Sequence, residues 1–170
     1  MNSTRSFSEK LEQASDLVDV FELVKSAVTS CTGKCRAGLM LGLANLGGGL
    51  DGFVGAFYPV DTNIIVVNSL PLARLRETRP ELLKPYMFHI LLHEYIHTLG
   101  VVDEAEARAL VAKVSLEAFG PAHPVTDFAS NLTKYIPRLV YPVYGWKPPE
   151  EYQIDLVTGF DRSSTSPYIW

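Results

Sequence analysis

Residues 88–107, FHILLHEYIHTLGVVDEAEA, decide how the chain reads. From Leu82 to Leu99 the sequence is long, apolar and free of glycine, which predicts a helix. Pro80 suits a first helical position and Pro85 falls within the opening turns, where a missing N–H costs least. Gly100 ends the run. On such a helix His93 and His97 stand four residues apart, so their imidazoles project from one face on adjacent turns, a spacing that one divalent cation bridges. Glu94 points about 100° away by helix geometry. That places it near such a cation without obviously ligating it, where a base for a bound water would sit. Met87, Phe88, Ile90, Leu91, Leu92, Tyr95 and Ile96 make the helix apolar around most of its circumference. Two histidines and a carboxylate in a helix fit for burial cost several kcal/mol unless partners or a metal receive them. His89, one turn earlier, reads as a supporting or core histidine, because a straight helix drifts about 40° per four residues.

The residues after His97 narrow the class. In HEYIHTLGVVD, Gly100 comes three residues after His97 and Asp103 six after it, so the string resembles the metzincin consensus H-E-x-x-H-x-x-G-x-x-(H or D). The resemblance implies His93, His97 and Asp103 as zinc ligands, Glu94 as general base and Gly100 as the turn residue. Metzincins also carry a methionine turn beneath the metal, whereas Met1, Met40 and Met87 all precede the motif here. The chain therefore looks more like the small prokaryotic zincin-type metallopeptidases, in which a short sheet, a metal-binding helix and the glycine turn occur without that feature. Asp103 has a competing role, since Asp103 and Glu106 have capping-box spacing for the next helix. Glu104, Glu117 and His123 stay open as third ligands.

Outward from this segment, the expected class is α+β, a small zincin-like domain with a short twisted sheet packed on an N-terminal helix and the metal-binding helix. Apolar residues recur at helical spacing from Ser6 to about Thr29, with Ser6 and Glu9 as a capping box. Ala37, Leu39, Leu41 and Leu43 alternate with Gly38, Met40, Gly42 and Ala44, a strand whose second face is small enough to lie against a helix. FVGAFYP and NIIVVN read as two further strands joined by a turn at Val60 to Thr62. Helices are expected from about Asp103 to Phe119, stopped by Gly120-Pro121, and from Thr126 to Tyr135. Residues 1–170 form a single domain in this reading, with 136–170 as an irregular, proline-rich wrap. Within that wrap Asp155 or Asp161 can approach the metal.

Composition excludes several classes. A length of 170 residues is that of one ordinary domain, and 47% hydrophobic with 20% charged residues supports a packed core rather than a disordered chain. Nineteen acids against fifteen bases give a net charge of −4 without a polybasic run, which argues against nucleic acid as partner. No signal-like apolar run opens the chain, and AGLMLGLANLGGGL is too short and glycine-rich to span a bilayer, so a soluble cytoplasmic protein is expected. Cys31 and Cys35 are too few for a disulfide scaffold and read as ordinary small side chains.

The function expected from the motif is a zinc-dependent metallopeptidase acting on a peptide or protein substrate. Glu94 would accept a proton from the water at the metal, and Tyr135, Tyr141 or Tyr144 would donate to the developing oxyanion. As the resemblance implies, FVGAFYP or NIIVVN would receive extended peptide as an edge strand. The alternatives are another metal-dependent hydrolase, such as one acting on RNA phosphodiesters, and a non-catalytic zinc-stabilised interaction protein.

Overall fold

A computed structural model describes residues 5–48, 52–140, 148–149 and 152–161. The fold is α+β. Ser6 and Glu9 form the expected capping box and start α1 (Phe7–Gln13). The helix expected to reach Thr29 is broken, however. Ala14 is extended, and Asp16 caps a second helix, α2 (Leu17–Thr32), by accepting from the Asp19 amide at 2.9 Å. The Ser15 amide in turn donates to Asp19 at 2.8 Å. Two short polar side chains thus capture backbone groups that a continuous helix would use, while Leu11, Ala14 and Leu17 remain buried through the break. Cys31 and Cys35 are free thiols at the end of α2.

The sheet is built on β1 (Met40–Ala44), which runs parallel to β4 (Ile64–Asn68) with Leu41 opposite Ile65. β3 (Ala56–Phe57) pairs antiparallel with β4, and β6 (Asp155–Leu156) antiparallel with β1, giving the order β3-β4-β1-β6. The segment NIIVVN is therefore an inner strand, since its ladder groups are taken on both sides, and β3 stands at the end of the sheet. Phe53–Val54, the β2 strand, turns instead to a two-stranded parallel sheet with β5 (Leu139–Val140).

One face of the sheet carries Leu39, Leu41, Ile65 and Val67 into the main core, against α2 and the helix formed by Leu83–Thr98. The small face lies against the chain's own C-terminal segment rather than a helix. A Cβ at Gly42 would meet Ile154 Cγ2 at 2.5 Å, and Tyr152 and Ile154 pack over Ala44, Phe57 and Val66. Fully buried Asn68 closes the sheet's end: its amide accepts from Leu46 and Leu70 and donates to the Gly47 and Val54 carbonyls.

Asn68 also caps α3 (Ser69–Thr78), a helix that the sequence pattern did not announce because Pro71 and three charged residues, Arg74, Arg76 and Glu77, interrupt its apolar period. A 3-10 turn at Pro80–Leu82 leads into α4 (Leu83–Thr98), with Pro80 and Pro85 where their missing donors are harmless. Thirteen of the sixteen residues of α4 are buried, because α2, α5 (Glu104–Phe119), α6 (Pro124–Tyr135) and the sheet surround it. Gly55 lets it approach the sheet, since a Cβ there would meet Tyr86 Oη at 2.7 Å. Among the described residues no helix is long and apolar enough to cross a membrane.

The described part of the tail is less irregular than expected. It adds β6, donates from the Val157 amide to the Leu41 carbonyl at 2.9 Å and stacks Phe160 on Phe21 with centroids 4.1 Å apart.

Candidate metal centre

The enclosed position of α4 determines which of its polar side chains can act. His93 and His97 share one face, their ring centroids 4.8 Å apart, as the four-residue spacing requires. After Thr98 the helix unwinds. Leu99 and Gly100 donate to the carbonyls of Ile96 and His97, and Gly100 takes φ +95°, a conformation that side chains rarely adopt. This turn reverses the chain and aims the Val101 carbonyl at His97, whose Nδ1 lies 2.6 Å from it. A carbonyl only accepts, so Nδ1 carries the hydrogen, and a neutral His97 presents the lone pair of Nε2.

Three residues beyond the turn, Asp103 caps α5 by accepting from the Glu106 amide at 2.8 Å. That fixes the start of the helix and leaves the next residue, Glu104, on the first turn and directed back at the histidines. Glu104 Oε1 is 2.8 Å from His97 Nε2 and 3.4 Å from His93 Nε2, Oε2 is 3.3 Å from His93 Nε2, and the two imidazole Nε2 atoms are 3.2 Å apart. His93, His97 and Glu104 are the group of potential ligands that converges among the described residues. The geometry fits a small divalent cation: a tetrahedron with bonds of about 2.1 Å has edges of about 3.4 Å, against 2.8 to 3.4 Å between these atoms. The chemistry fits as well, because two imidazole lone pairs and a carboxylate oxygen this close require a cation or a proton between them.

The surroundings set the charges. Burial pushes His93 below the ordinary imidazole range, against the opposing pull of Glu104. Burial also raises Glu104, but the hydrogen bond and charge of His93 and the charge of His97 outweigh it and hold the carboxyl below its usual value. Glu94 is only 3% exposed, and burial together with the charge of Glu104 raises it well above the carboxylate range. The Tyr58 backbone amide, just past β3, opposes that shift by hydrogen-bonding the Glu94 carboxylate. Arg36 secures this corner. Its guanidinium donates to Tyr58 Oη, the Thr98 carbonyl and the Thr62 carbonyl, and its amide donates to Tyr95 Oη.

Of the expected ligands, then, His93 and His97 come together, while Asp103 serves as a helix cap and its neighbour Glu104 completes the trio. Glu117 is exposed on α5 and hydrogen-bonds Cys31. His123 caps α6 through Nδ1, 3.2 Å from the Val125 amide. His89 is 1% exposed in the core, its pKa lowered to about 3 by burial and by the nearby His93. Tyr135 bonds Asp127, and Tyr141 and Tyr144 lie outside the described residues. Asp161 pairs with Lys25 and accepts from the Leu39 amide, and Asp155 is exposed in β6, so neither joins the trio. Arg36, Tyr58 and Arg108 carried no signal as neighbours of the site; only the four-residue spacing of Glu104 and Arg108 on one helix face hinted at their pairing. Compared with known protein families, with curated proteins and with solved structures, the chain matches none.

Proposed function

We propose that the chain is a zinc-dependent metallopeptidase in which His93, His97 and Glu104 hold the metal and Glu94 is the general base. The observation that carries this reading is the near-tetrahedral spacing of the three donor atoms beside a buried carboxylate on the same helix. Zinc with three protein ligands supplies an acidified water, its pKa lowered to about 7, and a Lewis acid for the scissile carbonyl. The chain's residues do the rest. The Val101 carbonyl keeps His97 in the tautomer that offers Nε2, and the exit turn at Gly100 holds Glu104 in place. Glu94, oriented by the Tyr58 amide, accepts the proton of the attacking water and returns it to the leaving amine. Substrate enters extended along β3, the strand at the end of the sheet that runs into Tyr58.

The test separates metal from chemistry. Glu94→Gln retains zinc and lowers peptide hydrolysis by at least about 100-fold, as read by plasma emission and a fluorogenic peptide library. Undiminished hydrolysis in that variant would remove Glu94 from the mechanism.

A further inference from the structure

The geometry points to Arg36 as a positioning residue for Glu94, an inference that rests on the metallopeptidase reading above. Arg36 lies in the link between α2 and β1, far in sequence from the donor trio. Its guanidinium gathers three oxygens: Nη1 donates to Tyr58 Oη and to the Thr98 carbonyl, each at 2.9 Å, and Nη2 donates to the Thr62 carbonyl at 2.8 Å. Thr98 ends α4, so its carbonyl has lost its partner within the helix, and a cation there also suits the negative end of the helix dipole. Tyr58 and Thr62 belong to the turn between β3 and β4. One planar group thus ties that turn to the end of the helix that carries His93, Glu94 and His97.

The tie holds a single amide in place. Gly55 accepts from Asn68 and Phe57 lies opposite Val66, so along this antiparallel ladder Tyr58, the next residue, turns its N–H away from β4. That N–H meets the Glu94 carboxylate. The turn's own bonds, from Tyr58 Oη to the Thr62 carbonyl and from the Thr62 amide and hydroxyl to the Pro59 carbonyl, close it upon itself without reaching α4. The strand is fitted against α4 at Gly55, where Tyr86 and Ile90 lie close, a turn or more before Glu94. Arg36 supplies the second fixed point, beyond Glu94 at Thr98, and the Tyr58 amide stands between the two. The acceptors are neutral oxygens spread over two elements, which the wide fork of a guanidinium spans and the point charge of an ammonium spans only in part.

The experiment reads amide hydrogen exchange by NMR and peptide hydrolysis on zinc-loaded wild type, Arg36→Ala, Arg36→Lys and Tyr58→Phe. The Tyr58 amide is expected to exchange at least about tenfold faster in Arg36→Ala than in wild type, with the Ile65 and Val67 amides of β4 and the zinc content unchanged. Peptide kcat should fall about 100-fold with KM within about twofold, because a base displaced by about 1 Å loses reactivity without losing substrate contacts. Arg36→Lys and Tyr58→Phe should each keep part of both properties, and they carry the comparison if Arg36→Ala does not fold. A Tyr58 amide as protected in the Arg36 variants as in wild type overturns the inference. So does loosening spread evenly through β4, the mark of a general role in stability. Wild-type kcat in a variant whose Tyr58 amide has come free overturns it too, and leaves the proposed function intact. Wild type that hydrolyses no peptide overturns that function, and this inference falls with it.

Discussion

At Gly100 a single residue carries the geometry of the site. Its φ of +95° is open to glycine and strained for other residues, although a Cβ there would meet nothing within 4 Å. Gly100→Ala therefore isolates backbone strain from crowding. It should lower stability by about 1–2 kcal/mol, measured by urea denaturation, and weaken zinc binding about tenfold by shifting Val101 and Glu104. An unchanged zinc affinity would mean that the turn does not position the trio. The residue scale is also where the sequence was least legible. His93, Glu94 and His97 stand out because a fixed helical period brings them together. Asp103 and Glu104 are adjacent acids, and which of them faces the histidines depends on where α5 begins. The Asp103/Glu106 spacing held the clue, because a carboxylate that caps a helix points along its axis and away from a neighbouring group.

Individual elements were legible wherever local chemistry set their ends. The Ser6 capping box, the Gly100 exit, the Asp103 cap and the Gly120 stop all lie where side-chain and backbone preferences place them. The missed features arose from competition: the Asp16 cap divides an otherwise continuous apolar period, and Asn68 starts α3 in a segment of weak amphipathicity. One cap titrates. His123 accepts from Val125 through Nδ1 and so acts while neutral, and burial lowers its pKa below the unfolded value of 6.5. A histidine with a depressed folded pKa contributes its full stability above that unfolded value, and loses it as pH falls through 6.5 toward the folded one, since the unfolded chain then binds more protons. A Ser cap does not titrate in this range. Wild type should thus lose stability relative to His123→Ser between about pH 7 and pH 5, as followed by thermal melts across that window. A difference independent of pH would show that the imidazole does not titrate as a cap.

Across the whole molecule, the described part of the C-terminal segment, residues 152–161, closes the fold. Asp161 is 2% exposed and meets Lys25, itself 8% exposed, while Phe160 stacks on Phe21 and Ile154 fits the space at Gly42. The tail's prolines and scattered aromatics gave no period from which these contacts were readable, because each depends on partners more than a hundred residues away. Breaking a buried ion pair from one side leaves a desolvated charge. Asp161 adopts φ +58°; Asp161→Asn keeps the shape and tolerates that conformation, and it should cost about 3 kcal/mol, moderated by Glu22 at 3.0 Å from Lys25. Equilibrium urea unfolding reads this directly, and a loss below about 0.5 kcal/mol would place the pair among ordinary surface contacts.

Everything proposed about function depends on Glu104, not Asp103, completing a zinc site with His93 and His97. Plasma emission on purified wild type, Asp103→Asn and Glu104→Gln, after dialysis against limiting zinc, measures this directly. One zinc per chain is expected in wild type and in Asp103→Asn, and little in Glu104→Gln. Zinc retained by Glu104→Gln but lost from Asp103→Asn, or no zinc bound by wild type, would contradict this expectation.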